Sequence, residues 1–294
     1  MTSPTTTATT PTTEIEEPPM TTTEVPLPPA AEATTATTTG SRPASRRRAV
    51  AAALRGEWIK AATVRTNKVL LATSAIVGLL ISWATATFGS DDAQTVADVY
   101  LYPTLLTAVL AAVAGILVPT SEVQHGTLAG ALTAHPSRWP VVAAKTVFVA
   151  GVGLLLGAVG MATGILGALV AGLEVGDTSG MVTTVLWGLL YTAGSALLGL
   201  GVGMVVRHSA GAVSGLLVWW LVVEGLVVQF APAEVARFVP FDTGFRTLGV
   251  ESDLDVPEVA AAGLSNLAHA SIFWGYVIAA LVLGTALLVR RDVD

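Results

Sequence analysis

The sequence contains no cysteine. That excludes disulfide frameworks, thiolate metal sites and thiol catalysis, and leaves the redox compartment open. Charge is scarce as well. Asp, Glu, Lys and Arg make up 12% of 294 residues, where a soluble domain carries about 25%. The apolar set reaches 52% and mean hydropathy is +0.68. These values exclude an ordinary water-soluble enzyme and indicate an integral membrane protein. Catalytic signatures are missing too. The dipeptide Gly-Lys never occurs, so no G-x-x-x-x-G-K-[ST] loop can cradle the phosphates of ATP. There is no H-E-x-x-H, and His125, His135, His208 and His269 are scattered, which argues against a metal site or an intramembrane metalloprotease. No G-x-S-x-G elbow appears. Gly151, Gly153 and Gly157 superficially resemble a dinucleotide loop, but they fall inside an apolar run.

What is present is unevenly distributed. Residues 1–48 begin as a Thr/Pro/Ala stretch carrying Glu14, Glu16, Glu17, Glu24 and Glu32, with few bulky apolar side chains. Such a tail cannot bury enough surface to offset its ordering entropy, so disorder is expected. It is acidic and lacks an apolar centre, unlike a secretory signal. An O-glycosylated stalk would suit the composition, but the orientation below places the tail in the cytoplasm. From Arg42 to Lys68 there are eight basic residues against one acid, Glu57. Val50, Leu54, Trp58, Ala61 and Ala62 recur at helical spacing. An amphipathic helix of about 15 residues lying on anionic lipid fits this pattern. A plain positive flank for the next span fits it too.

Six apolar stretches follow, at about 69–88, 100–118, 141–172, 181–206, 210–230 and 267–289. Each reaches the ~17–25 residues that cross a bilayer, and the third and fourth are longer, which favours tilt or extension past the headgroups. Placing the N-terminus inside assigns thirteen Lys/Arg to inner segments and only Arg237 and Arg246 to outer ones. Outer loops hold Asp91, Asp92, Asp98, Glu174, Asp177 and an acidic run from Glu251 to Glu258. This asymmetry puts both termini in the cytoplasm. The long outer loop, 231–266, carries Pro232, Pro240 and Pro257, with Asp255 ahead of Pro257. Acid and proline together mark a helix start. Short helices dipping into the outer leaflet are expected there, with a solvated loop as the alternative. Gly153/Gly157, Gly160/Gly164, Gly199/Gly203 and Gly211/Gly215 are spaced four apart, which permits close helix approach within the chain or between copies.

Two features stand out from this background. The inner segment 120–137 is semi-polar and bounded by prolines. Thr120 or Ser121 can cap a helix there, with Leu128 and Leu132 one turn apart and Pro136 closing it. It is either a docking element or a connector. The second feature is Glu224, in the middle of the fifth stretch after Trp219. An ionisable group at that depth costs about 2.5–3.5 kcal/mol on insertion scales, so it faces protein or a watery cavity. It is either a substrate or proton contact, or a structural hydrogen bond to a neighbour such as Tyr191 or Ser195.

Several segments carry a family likeness. Leu54-Arg-Gly-Glu57-Trp58-Ile-Lys60 with Arg65 resembles the stretch before span one in ABC-2 type transporter permeases of high-GC Gram-positive bacteria. Ser121-Glu122, Gly126-Thr127, Leu132, Pro136, Arg138 and Lys145 are similar to that family's inner loop. Gly201, Gly203, Arg207, His208, Gly211 and Ala212 resemble its turn between spans four and five, and Pro240-Phe241 its outer loop. The likeness covers about 49–291. Ala61-Ala62 and Val123-Gln124 depart from the family's usual residues.

The resemblance implies an all-α membrane protein with six transmembrane helices. An N-terminal amphipathic interfacial helix would hold Glu57, Trp58, Lys60 and Arg65, and short outer-leaflet helices would lie between spans five and six. It implies a permease, most readily an exporter, in the bacterial cell membrane. Its partners would be two copies of an ATP-binding subunit, a second permease copy or a homologous permease, and membrane lipid. No nucleic acid and no cofactor of its own are expected, with ATP and Mg used by the partner. The 120–137 loop would be the coupling helix, with Glu122, Gly126, Thr127 and Arg138 at its key positions. Glu224 and Trp219 are the candidates for the substrate path. The competing readings are a non-transporting membrane scaffold or assembly protein, and a proton-coupled secondary carrier using Glu224. Such carriers usually show internal repeats, and no convincing repeat is present.

Overall fold

A computed structural model of the chain describes residues 55–56, 65–89, 94–125, 139–249 and 264–290. The tail 1–48 and the site candidates Glu57, Trp58, Lys60, Gly126, Thr127 and Arg138 fall outside the described residues. So does the Pro257 helix start. Of the interfacial segment, Arg55 and Gly56 are described and helical.

All regular structure among the described residues is helical. In chain order the elements are α1 (Arg65–Phe88), α2 (Val96–Val99), α3 (Pro103–Gln124), α4 (Trp139–Val170), α5 (Met181–Val206), α6 (Ser209–Val218), a π-helical turn (Trp219–Glu224), α7 (Gly225–Phe230), α8 (Ala233–Ala236), α9 (Pro240–Arg246) and α10 (Asn266–Arg290). With α2 leading into α3, and α6 running through the π turn into α7, these make six helices long and apolar enough to cross a membrane. The chain is a multi-pass transmembrane protein by length and composition. The 32 residues of α4 rise about 48 Å, well over the ~30 Å of hydrocarbon, so α4 tilts or projects.

The second span ends later than the sequence suggests. Thr120 and Ser121 do not cap a new helix. The helix α3 runs through Pro119 to Gln124. Proline normally interrupts an interior because it lacks a donor and crowds the carbonyl four residues back. Here the carbonyl that loses its donor is that of Gly115, while the Thr120 hydroxyl donates to the neighbouring Ile116 carbonyl at 2.8 Å. Span helices tolerate proline because neighbouring helices and local adjustments accommodate it.

The helix α5 is the axis of the bundle, packed against α3, α4 and α10, while α1 packs chiefly on α4. Small residues set these distances. A Cβ on Gly115 would overlap the Ala196 carbonyl, and one on Gly199 the Ala112 carbonyl, so α3 and α5 touch backbone to backbone. Gly153 and Gly157 meet Thr192 and Ala193, Gly160 meets Thr107 and Ser74, and Gly164 meets Tyr100 and Ser82. Three of the four glycine pairs are thus intramolecular contacts. Gly211/Gly215 is different, because nothing lies within 4 Å of a Cβ on Gly215, and Gly211 approaches its own cap, His208, and Val206 at the end of α5. Buried hydroxyls add cross-links, as where Ser74 donates to the Leu156 carbonyl at 2.9 Å. The outward faces are apolar: Ile76, Val182, Leu221, Ile278 and Val282 are all more than half exposed, as lipid-facing positions are. Outside the spans, Asp177 accepts from the Ser179 amide and hydroxyl. Those bonds hold its carboxyl below the ordinary range.

This packing yields a sharp contrast. Gly199→Val should cost about 3 kcal/mol or more, because two backbones must separate. Gly215→Ala should be neutral or gain up to about 1 kcal/mol from helix propensity. Thermal unfolding of the purified variants in one detergent checks the pair, and equal midpoints would refute the close α3–α5 contact.

Candidate functional site

Two polar clusters occupy opposite ends of the bundle. The first is built around Glu224. In a π turn, residues five apart stack on one face. Trp219 and Glu224 are so related, and the indole Nε1 donates to Glu224 Oε1 at 2.9 Å. Glu224 is only 3% exposed. Its carboxyl also accepts from the Phe241 amide at 3.1 Å by both oxygens and from the Asp242 amide at 3.1 Å.

Those two amides open α9. The residue before it, Val239, has no side chain able to cap, and Pro240 fills the first helical position. The early N–H groups of a helix need an acceptor, and in lipid no water supplies one. Glu224 supplies it from another span, where its charge also suits the helix N-terminus. The sequence offered Tyr191 or Ser195 as partners of Glu224. The structure corrects this: Tyr191 Oη donates to the Phe241 carbonyl at 3.0 Å, while Ser195 Oγ has no partner among the described residues.

The rest of α9 is held as firmly. Thr243 Oγ1 lies 2.8 Å from His269 Nδ1 on α10. Phe273 packs edge-on against Tyr191 at 5.3 Å between ring centroids, and a side chain at Gly244 would overlap the Tyr191 ring. Asp242 and Arg246 pair one turn apart at 2.7 Å. A short helix that dips into the bundle is therefore fastened by spans four, five and six together.

The second cluster lies at the other end, where α3 and α4 flank residues 126–138. Lys145 Nζ donates to Glu122 Oε1 at 2.6 Å, and both side chains are buried. Gln124 Nε2 donates to Ser209 Oγ at 2.9 Å, tying α3 to the start of α6. His208 caps α6, its Nδ1 accepting from the Gly211 amide at 3.0 Å. Between α5 and α6 the turn residue Arg207 is in the left-handed region at φ 58°.

The sequence-derived candidates are thus distributed between sites. Glu224 and Trp219 bond directly, although Trp219 remains 44% exposed. Glu122 points inward to Lys145. Arg65 is an exposed residue at the start of α1. Lys145 as the partner of Glu122, and the amides of Phe241 and Asp242 as partners of Glu224, were not anticipated. The signal for the latter existed: a Pro240 helix start without a Ser, Thr or Asp before it, and an acid in the middle of a span. Among the described residues no group of His, Asp and Glu is arranged to hold a metal.

No protein-family model matches the chain, and no curated protein matches it. The class that the fold defines is an all-helical protein with six candidate membrane-spanning helices, a short helix fastened among the last three spans, and a buried ion pair between the second and third.

Proposed function

We propose that the chain is the membrane-spanning permease subunit of an ATP-driven, ABC-2 type transporter, acting as an exporter in the bacterial cell membrane. Two copies of a separate subunit bind ATP and Mg, and a second permease copy completes the path. The observation that carries this reading is the Glu122–Lys145 pair. It ties together the two helices that lead into and out of 126–138, so a push on that loop moves both as one body. Both helices pack on α5, and Tyr191 of α5 is bonded to Phe241 of α9. A force applied at one end thus has a continuous route to the short helix at the other. Rigid-body rearrangement biased by a ligand works through such connected elements.

Two sequence features support the same reading. The sequence holds no P-loop, which fits energy supplied by a separate ATP-binding chain, and the Lys/Arg asymmetry favours a cytoplasmic 126–138 loop within reach of a cytosolic ATPase. The carrier alternative needs Glu224 open to water on each side in turn. Its three donors weigh against that.

A photocrosslinking residue at Thr127 of the full chain, in membranes of the native host, tests the assignment. The expected product is an adduct with a P-loop ATP-binding protein whose yield changes with ATP. A folded protein that gives no such adduct would remove the ATP-driven reading. Vesicles containing both subunits separate a transporter, which moves solute on ATP addition, from a scaffold, which moves none.

A further inference from the structure

Beyond the transport reading, and independent of it, stands a stripe of hydroxyls on span two. Among the described residues four buried hydroxyls have no hydrogen-bond partner, and those of Tyr100, Thr104 and Thr107 belong to that span. The fourth is Ser195 on α5. Tyr100 and Thr104 are 1% exposed and Thr107 is 0%. An unused hydroxyl is not the habit of this bundle. Thr85, Thr120, Thr146, Thr163 and Ser271 each donate to the carbonyl four residues back. Ser74 and Ser82 of α1 donate instead to the Leu156 and Val99 carbonyls.

Spacings of four and three put Tyr100, Thr104 and Thr107 on one helix face. Glycines of α4 stand opposite. A Cβ on Gly160 would overlap Thr107 Oγ1 and approach Ser74 Oγ, and one on Gly164 would crowd the Tyr100 carbonyl, Ser82 Oγ and Pro103. The seam between α3 and α4 thus sets hydroxyls against bare backbone, with two serines of α1 beside it. At Gly160 and Gly164 no side chain of α4 locks into α3, so the two surfaces can part without lifting a ridge from a groove. As packed, Thr107 and Gly160 leave no space between them for a further group. A hydroxyl shut away from any partner is destabilising, the more so where lipid surrounds the bundle. The stripe is uncharged and its groups both donate and accept. The ligand that matches it is neutral, small and equally two-sided, which is water.

We propose that the α3–α4 seam opens in a second state of the protein and takes up water from the end where α2 lies, as far as Thr107. Closed, the seam gains backbone contact at Gly160 and Gly164 and leaves three hydroxyls unbonded. Open, it loses that contact and hydrates all three. Opposing terms of this kind keep two arrangements close in free energy, so both are populated.

The cysteine-free sequence supplies the test. Thr107→Cys and Val277→Cys are each made in the full chain, placed in lipid nanodiscs open to buffer on both faces, and treated with a small charged methanethiosulfonate. Only the thiolate reacts, and a thiol sealed in apolar packing stays inert. Val277 is the control: it is 0% exposed, sits on α10 against α5, and lies as far past Asn266 as Thr107 lies past Val96. Thr107→Cys should react about tenfold faster or more, the mark of an open state that Val277 does not share. Adding Thr104→Val, which removes a group that water would satisfy, should slow that labelling severalfold. Oxidation of the unsubstituted protein by hydroxyl radicals made from water gives a second reading. Tyr100 should be modified well ahead of Tyr191, which is equally buried but has its hydroxyl bonded to the Phe241 carbonyl. A folded Thr107→Cys as inert as Val277→Cys, a rate indifferent to Thr104→Val, or a Tyr100 oxidised no faster than Tyr191 overturns the proposal.

Discussion

Replacing Glu224 with alanine should destabilise the protein by about 3–5 kcal/mol, among the largest effects of any single substitution in the chain. The reasoning is an accounting of donors. The carboxyl accepts from two backbone amides at the start of α9 and from the Trp219 indole. Hydrogen bonds to charged groups are worth about 1.5–3 kcal/mol each, and a buried donor left unpaired costs about 1–3 kcal/mol. The two terms describe the same bonds and do not simply add, which keeps the expected total below their sum. Glu224→Gln should lose roughly half as much, since one oxygen still accepts while the new amide group faces the Phe241 and Asp242 donors. Trp219→Phe removes one donor and should cost about 1 kcal/mol. Unfolding midpoints in a common detergent check the order Ala, Gln, Phe. An alanine variant within about 1 kcal/mol of wild type would show that α9 is capped by something else.

The second large effect is at Glu122. Removing one partner of a buried ion pair typically costs about 3–5 kcal/mol. Glu122→Ala should show that loss, and Glu122→Arg a greater one, since it sets a second cation beside Lys145. Replacing both partners, Glu122→Leu with Lys145→Met, should restore most of the stability, because well-packed apolar pairs often match buried ion pairs. Under the proposed function the double variant is the informative one. It folds, yet the flanking helices of the loop are joined less rigidly, so ATP-driven transport should fall while ATP-subunit association persists. A double variant as unstable as Glu122→Ala would contradict the pairwise account.

Much of the architecture was legible because the bilayer imposes length. All six apolar stretches became helices, several ending within a residue or two of their expected limits, such as 181–206. The main departure, at Pro119, came from reading proline as punctuation. Inside a span a proline does not by itself end a helix, and α3 runs through Pro119 to Gln124. The glycine spacing indicated close packing without telling inner from outer pairs. Gly199/Gly203 and Gly211/Gly215 look alike in sequence, and only the first pair meets a neighbouring helix. The short outer helices were expected, and α8 and α9 occupy the first half of that loop. The sites were less legible than the spans. A buried carboxylate announces that it needs donors, but not which ones, and Glu224 found backbone amides 17 and 18 residues away. The inward turn of Glu122 could not be read from a loop motif, because whether a charged residue at a helix end faces a partner or its own bundle depends on the register of the next helix.

The central claim is that the 126–138 end of the bundle lies in the cytoplasm, where a separate ATP-binding subunit drives it. The cysteine-free sequence allows a direct measurement. A single Thr127→Cys variant is treated in intact cells with a membrane-impermeant maleimide, then again after the membrane is opened. The account predicts no labelling before opening and full labelling after it. Labelling of intact cells would put the loop on the outside, beyond the reach of any ATPase, and would contradict the account.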